Sequence, residues 1–447
     1  MTVLIKIVQL ILALSVLILV HELGHFTFAK MFGIRVDKFF LFFDASGIKL
    51  LSTKTGWFSK LFPKGKEWET EYGIGWLPLG GYCKIAGMVD ESLDTEYLKN
   101  EPQPWEFRTK PAWQRLLVMA GGVLFNFILA IVLYTGILAG WGESYIGNEG
   151  SRIYVNELAH DMGFRNGDHI ISFDGYEPEN FAMLQIDLAR REVEKAVVMR
   201  DGDTLDIYID HARIGDILNS PGMFDLARPF IVHSVADGSA NTESGFETGD
   251  RIISIEGIPV QFVQDAWPVL EEHAGEAVFA DIIRGADTLS LPLQVDTTGR
   301  LGVFLEAPEI KTMEYSFISA IPAGFRKTFS SIGGYLKDLK LVFTPSTEAY
   351  KSVGSFIAIG QVFPSAWDWL SFLSITAMLS IMLAVMNLLP IPALDGGHIV
   401  FTIYEMITGR KPSDNFLYAT QLIGLFLILG LMFLAFGNDI ARIIRLL

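Results

Sequence analysis

The chain has 447 residues, half of them hydrophobic, with a mean hydropathy of +0.35 and a formal charge of −16. The apolar share exceeds that of an ordinary soluble domain, and the acidic excess argues against nucleic acid or an anionic lipid surface as an electrostatic partner. Cys83 is the only cysteine, so no intramolecular disulfide can form.

Hydropathy marks four stretches, at 3–25, 116–139, 370–390 and 416–436. Each can cross a hydrocarbon core about 30 Å thick, which takes about 20 residues. Near the outer end of the first, Lys6 and Gln9 have side chains long enough to reach the interface. A secretory leader would end on small residues; this stretch ends on HELGH at 21–25. On a helix, His21 and His25 project from one face and can share one metal ion, with Glu22 beside them to take a proton from water. The motif is short enough to arise by chance. Its placement sharpens it, because ionisable groups inside an apolar helix are costly unless paired or coordinating. The plainer alternative ends the span at Val20 and leaves HELGH at an interfacial helix end.

Between the first two spans, GIGWLPLGGYCKIAGM lies within 68–90 and reads as short strands around a turn at Pro78, Gly80 and Gly81. It is either a re-entrant hairpin shielded by protein or an interfacial loop. The second span carries Asn126, which either binds substrate backbone or joins helices. Basic residues flank the inner helix ends: Lys30, Arg35 and Lys38; Arg108, Lys110 and Arg115; Arg410 and Lys411. The positive-inside rule then makes 30–113 and 391–415 cytoplasmic and puts the N-terminus, 143–366 and the C-terminus outside. Arg442 and Arg445 count against this orientation.

The segment 143–366 holds 34 acidic and 17 basic residues. Within it GFRNGDHIISFDG (163–175) and GFETGDRIISIEG (245–257) match at eight of thirteen positions, 82 residues apart. They read as tandem modules of a size usual for small domains and resemble PDZ domains in the bacterial, circularly permuted form. Such domains bind peptides by strand addition; two spacers without a ligand would show the same pattern. From 305 to 368 the chain reads as helical connectors near the outer surface.

At the inner end of the third span, NLLPIPALDGG (387–397) offers the further ligand that a catalytic metal site needs. Asp395 is favoured over His398, since an unpaired carboxylate at that depth is harder to explain. Pro390 and Pro392 break the helix, and Gly396 and Gly397 allow close approach. Asn387 lies beside the proposed site.

HELGH, PLGGYCKIAG (78–87), AGGVLFNF (120–127), the two modules and NLLPIPALDGG, in that order, resemble the site-2 protease family of intramembrane zinc metalloproteases, in its bacterial RseP type. The resemblance covers nearly the whole chain. It implies Zn2+ held by His21, His25 and Asp395, with Glu22 as general base. It also implies a substrate strand guided by the 68–90 element, Gly80, Gly81 and Tyr82 included, with help from Asn126 and Asn387. The expected fold is a multi-pass α-helical membrane protein with four transmembrane helices, a membrane-associated β-hairpin and two tandem PDZ-like α+β domains. Its parts are 1–30 (first helix), 31–112 (cytoplasmic loop with the hairpin), 113–142 (second helix), 143–225 and 226–305 (modules), 306–368 (periplasmic connector), 369–397 (third helix) and 398–447 (fourth helix and C-terminus). The implied activity is cleavage of single-span proteins already trimmed by a first protease, anti-sigma factors in the envelope stress response and remnant signal peptides among them. The implied setting is the lipid bilayer of a bacterial inner membrane, with the PDZ-like modules periplasmic and no nucleic acid involved.

Overall fold

The computed structural model describes residues 2–78, 80–88 and 101–446. The chain begins with α1 (Thr2–Met31), then β1 (Val36–Leu41), β2 (Lys49–Ser52), β3 (Glu71–Gly75) and β4 (Tyr82–Ile85). α2 (Ala112–Trp141) leads into β5 (Glu143–Ile146). The first repeat half comprises β6 (Ile153–Val155), α3 (Glu157–Asp161), β7 (His169–Phe173), α4 (Leu184–Arg190), β8 (Lys195–Arg200), β9 (Asp203–Tyr208), α5 (Ile214–Asn219) and β10 (Phe224–Leu226). The second comprises β11 (Val232–Val235), β12 (Arg251–Ile255), β13 (Ile258–Pro259), α6 (Val263–Glu272), β14 (Ala277–Arg284), β15 (Asp287–Gln294) and β16 (Val303–Leu305). Then follow β17 (Ile310–Met313), α7 (Phe317–Val342), α8 (Phe356–Val362), α9 (Trp369–Leu388), α10 (Asp395–Thr408) and α11 (Asp414–Leu446). Among the described residues, four helices are long and apolar enough to cross a membrane: α1, α2, α9 and Asn415–Ile444 of α11.

The chain forms two compact units. The first contains Met1–Gly142, Glu314–Lys340 and Lys351–Leu447. Its helices pack through small residues, as helices in lipid do when no hydrophobic force drives them together. α1 and α2 meet at Gly24 and Gly121, where a Cβ on Gly24 would lie 2.2 Å from the Gly121 carbonyl oxygen. α9 packs on α2 through Ala377, Ile381 and Val385 against Ala130, Tyr134 and Ile137. α7 lies along α2 with Gly324 against Thr135, and leaves Phe317, Ile318 and Phe329 exposed. Gln9 does not reach outward as expected. It is fully buried and donates to the Pro364 carbonyl, while Lys6 donates to Gln361.

The 68–90 element differs from the expected hairpin; its Leu79, Val89 and Asp90 lie outside the described residues. Strands do form at Glu71–Gly75 and Tyr82–Ile85, but they do not pair with each other. The sheet runs β2-β3-β1-β4, with β1 parallel to β3 and antiparallel to β4. β1, with Val36 and Phe40 buried, is an interior strand and lies between β3 and β4. With a strand between them, β3 and β4 stand two strand spacings apart, about 9.6 Å, too far for the two-residue turn of a tight hairpin.

The second unit contains Glu143–Met313 and Leu341–Tyr350. Each repeat half has its own core, around Phe164, Ile170 and Leu188 in one and around Ile252, Ala266 and Ile282 in the other. The repeated Gly-Asp turn has the same job twice. Asp168 receives the Arg200 guanidinium at 2.7 Å through both oxygens, and Asp250 receives Arg284 at 2.8 and 2.7 Å. The halves diverge after the outer strand: 209–223 carries α5, whereas 295–302 is a short turn. Gln185 ties that longer excursion down, donating to Ile217 and Ser220 and accepting from Met223 N–H. β5 pairs antiparallel with β17, Glu143 opposite Met313, so the two ends of this unit are zipped together.

Candidate metal centre

The C-terminal part of α1 carries His21, Glu22 and His25. The facing Nε2 atoms of the two histidines are 3.2 Å apart. His25 Nδ1 lies 2.8 Å from the Val118 carbonyl of α2. A donated N–H there fixes the tautomer and leaves Nε2 free to ligate. Gly122 stands between the rings, where a Cβ would lie 2.4 Å from His25 Nε2 and 2.5 Å from His21 Cε1.

Asp395 arrives as the first residue of α10. The prolines end α9 at Leu388 and send the chain through a turn in which Ala393 has φ 82, a left-handed conformation costly for a residue with a Cβ. Gly396 and Gly397 close it: Cβ atoms there would lie 2.1 Å from the Leu389 oxygen and 2.7 Å from the Ile391 oxygen. Gly424 of α11 packs directly on the Pro392 carbonyl. Arg115 of α2 pairs with Glu405 of α10 at 2.5 Å, both largely buried, which ties the helix bearing Asp395 to the bundle.

Asp395 Oδ2 lies 3.3 Å from His21 Nε2 and 3.4 Å from His25 Nε2. Zinc bonded at about 2.0–2.2 Å in a tetrahedron spans ligand edges of about 3.3–3.6 Å, so the three separations fit one ion. Among the described residues Asp395 Oδ2 is also buried without a hydrogen-bond partner, an orphan that a cation satisfies. Among the described residues these three form a group able to hold a metal. His398, the alternative ligand, lies outside that group and lines a cavity of about 40 Å³ with Arg115 and Glu405.

The remaining expected residues divide. Glu22 is half-buried, and its carboxylate accepts the Cys83 backbone N–H of β4. Asn387 is half-buried with Nδ2 3.3 Å from His21 Nε2. Asn126 is fully buried, its amide 3.2 Å from His21 Nδ1. Gly81 lies against α1, where a Cβ would meet Ile18 at 2.6 Å, and Gly80 packs on the Phe43 ring. The Tyr82 ring stacks on Phe40 and Phe43, and its hydroxyl donates to Asp44 at 2.8 Å. Burial of Asp44 raises its carboxyl, but hydrogen bonds from Tyr82 and Lys38 outweigh this and hold it below the usual range. Gly24, Gly121 and Gly424 were not picked out in the sequence, and no chemical role was expected of Gly122, which the structure sets between the two rings. The paired glycines beside GxxxN were the available signal.

Relatives span nearly the whole chain. A protein of Salmonella typhimurium named regulator of sigma-E protease RseP is 28% identical over 464 aligned positions, covering 97% of this chain and 98% of its own. Protease RseP of Yersinia pestis is 27% identical, covering 99% of this chain and 100% of its own. A candidate zinc metalloprotease of Xylella fastidiosa is 27% identical over 96% of this chain and 97% of its own. The sequence model of peptidase family M50 matches residues 9–431. With histidine pair, carboxylate and family agreeing, the chain belongs to peptidase family M50, the site-2 proteases, and is a zinc metalloprotease.

Proposed function

We propose that this zinc protease hydrolyses peptide bonds in the membrane-spanning segments of single-span proteins already trimmed by a first protease, with His21, His25 and Asp395 as ligands and Glu22 as general base. The observation that carries the reading is the convergence of three ligand atoms from α1 and α10 beside Glu22, on helices of membrane-spanning length. When bound, zinc polarises water and the scissile carbonyl. Glu22 takes the proton from the attacking water and returns it to the departing amine. Asn387, aimed at the same space, donates to the carbonyl oxygen as charge develops there.

A substrate helix hides its peptide groups in its own hydrogen bonds and must unwind before attack. β4 suits the unwound strand: it has β1 on one edge and, among the described residues, no strand on the other. The Cys83 N–H of β4 meets Glu22, so a strand added along that edge passes the general base. Gly80, Gly81 and Tyr82 then serve to hold this edge on α1. The repeat halves are PDZ-like modules facing the periplasm, and the enzyme resides in a bacterial inner membrane. The Salmonella relative is named as a regulator of sigma-E; in keeping with that name, the proposed substrate is an anti-sigma factor of the envelope stress response, with remnant signal peptides as a second class.

Glu22→Gln keeps the ligands and removes the base. The purified variant is expected to retain one zinc per chain and to lose cleavage of a model single-span substrate by at least about 100-fold. Undiminished turnover rejects the mechanism.

A further inference from the structure

The amide of Asn126 is fully buried, yet its Oδ1 has no hydrogen-bond partner among the described residues, while Nδ2 lies 3.2 Å from His21 Nδ1. That arrangement conflicts with ligation. A donor on Nδ1 puts the imidazole proton on Nε2, the atom that faces His25 and Asp395. Zinc at Nε2 requires the opposite tautomer, with Nδ1–H as the donor. Only an oxygen accepts that proton, and a half-turn of the amide, whose two ends are nearly the same size, places Oδ1 on His21.

We propose that Asn126 is the positioning residue of the zinc ligand His21, presenting Oδ1 to Nδ1–H, and is not a substrate contact. The proposal rests on the zinc site described above. Three further observations agree with it. Val118, Gly122 and Asn126 are spaced four residues apart on α2, so they form one stripe facing α1. Val118 gives its carbonyl to His25, Gly122 leaves room for both rings, and Asn126 meets His21. α2 thus supplies the outer partner of both imidazoles, main chain for one and side chain for the other. The Asn126 carbonyl is itself held by Ser380 Oγ of α9 at 2.8 Å, which fixes the residue between helices rather than at an open face.

The test compares full-length Asn126→Asp, Asn126→Ala and Asn126→Leu with the parent, using zinc dissociation constants from chelator competition and melting of the metal-free protein. Outer partners of this kind change metal affinity by about 10–100-fold. That loss is expected in the Ala and Leu variants. Asp, which keeps an oxygen at the same place, should restore affinity to within a few-fold. Melting of the metal-free Asp variant close to the parent shows that folding is intact. Unchanged zinc affinity in both Ala and Leu variants overturns the proposal, and a raised KM with zinc affinity intact returns Asn126 to the substrate. A parent protein that binds no stoichiometric zinc sinks the metal site itself, a separate failure.

Discussion

At position 122 a hydrogen atom keeps two imidazoles in place. Gly122→Ala would put a methyl group 2.4 Å from His25 Nε2, a proposed ligand atom. Overpacking of this kind costs about 1–3 kcal/mol, and here the displaced groups are the proposed ligands. The variant should lose most of its zinc in metal analysis while keeping its helical content; full occupancy would show that the rings have room to move. The charged members of the site were legible in the sequence because ionisable residues in apolar helices are few and expensive. Gly122 was not, because glycine is common in membrane helices and a sequence does not say which face meets which neighbour. The same ignorance left Asn126 open between substrate and helix packing.

At the scale of elements, repetition was the strongest signal. The Gly-Asp turns were visible 82 residues apart, and each binds an arginine from the end of a later strand. In the second half, the hydrogen bonds from Arg284 hold the Asp250 carboxyl below its usual range, against burial, which raises it. The folded value is therefore below the unfolded one of about 3.9. The pair stabilises this half above that pH, and the contribution disappears as the pH falls through the folded value. Asp250→Asn should melt lower than the parent at pH 7 but lose less on going from pH 5 to pH 3. Hydrogen exchange of 226–305 in the full chain would report it, and an unchanged acid slope would reject the pairing as the cause. The sheet of the first unit was less legible. The strands at 71–75 and 82–85 showed as aromatic runs around a turn, but β1, the strand between them, lies more than thirty residues away from β3 in sequence. Nothing local to 68–90 announces a partner that distant.

On the scale of the whole molecule, charge and hydropathy separate the chain into an apolar bundle and an acidic insertion: 143–313 carries 31 acidic and 12 basic residues. The antiparallel clasp of β5 on β17 sets Glu143 opposite Met313, and residues so paired have Cα atoms about 4.5–5.5 Å apart. A few glycines and serines can span that gap. Replacing 143–313 with such a turn should leave stoichiometric zinc and an unaltered zinc dissociation constant; loss of the metal would mean that the insertion is needed to build the centre.

That clasp makes the acidic insertion a detachable cartridge. Because both strands of the tether leave from one point, the cargo beyond it can lengthen, shrink or be exchanged wholesale while the bundle keeps its helix order. The bundle that carries the candidate metal centre and the insertion are thus free to drift at different rates along one gene.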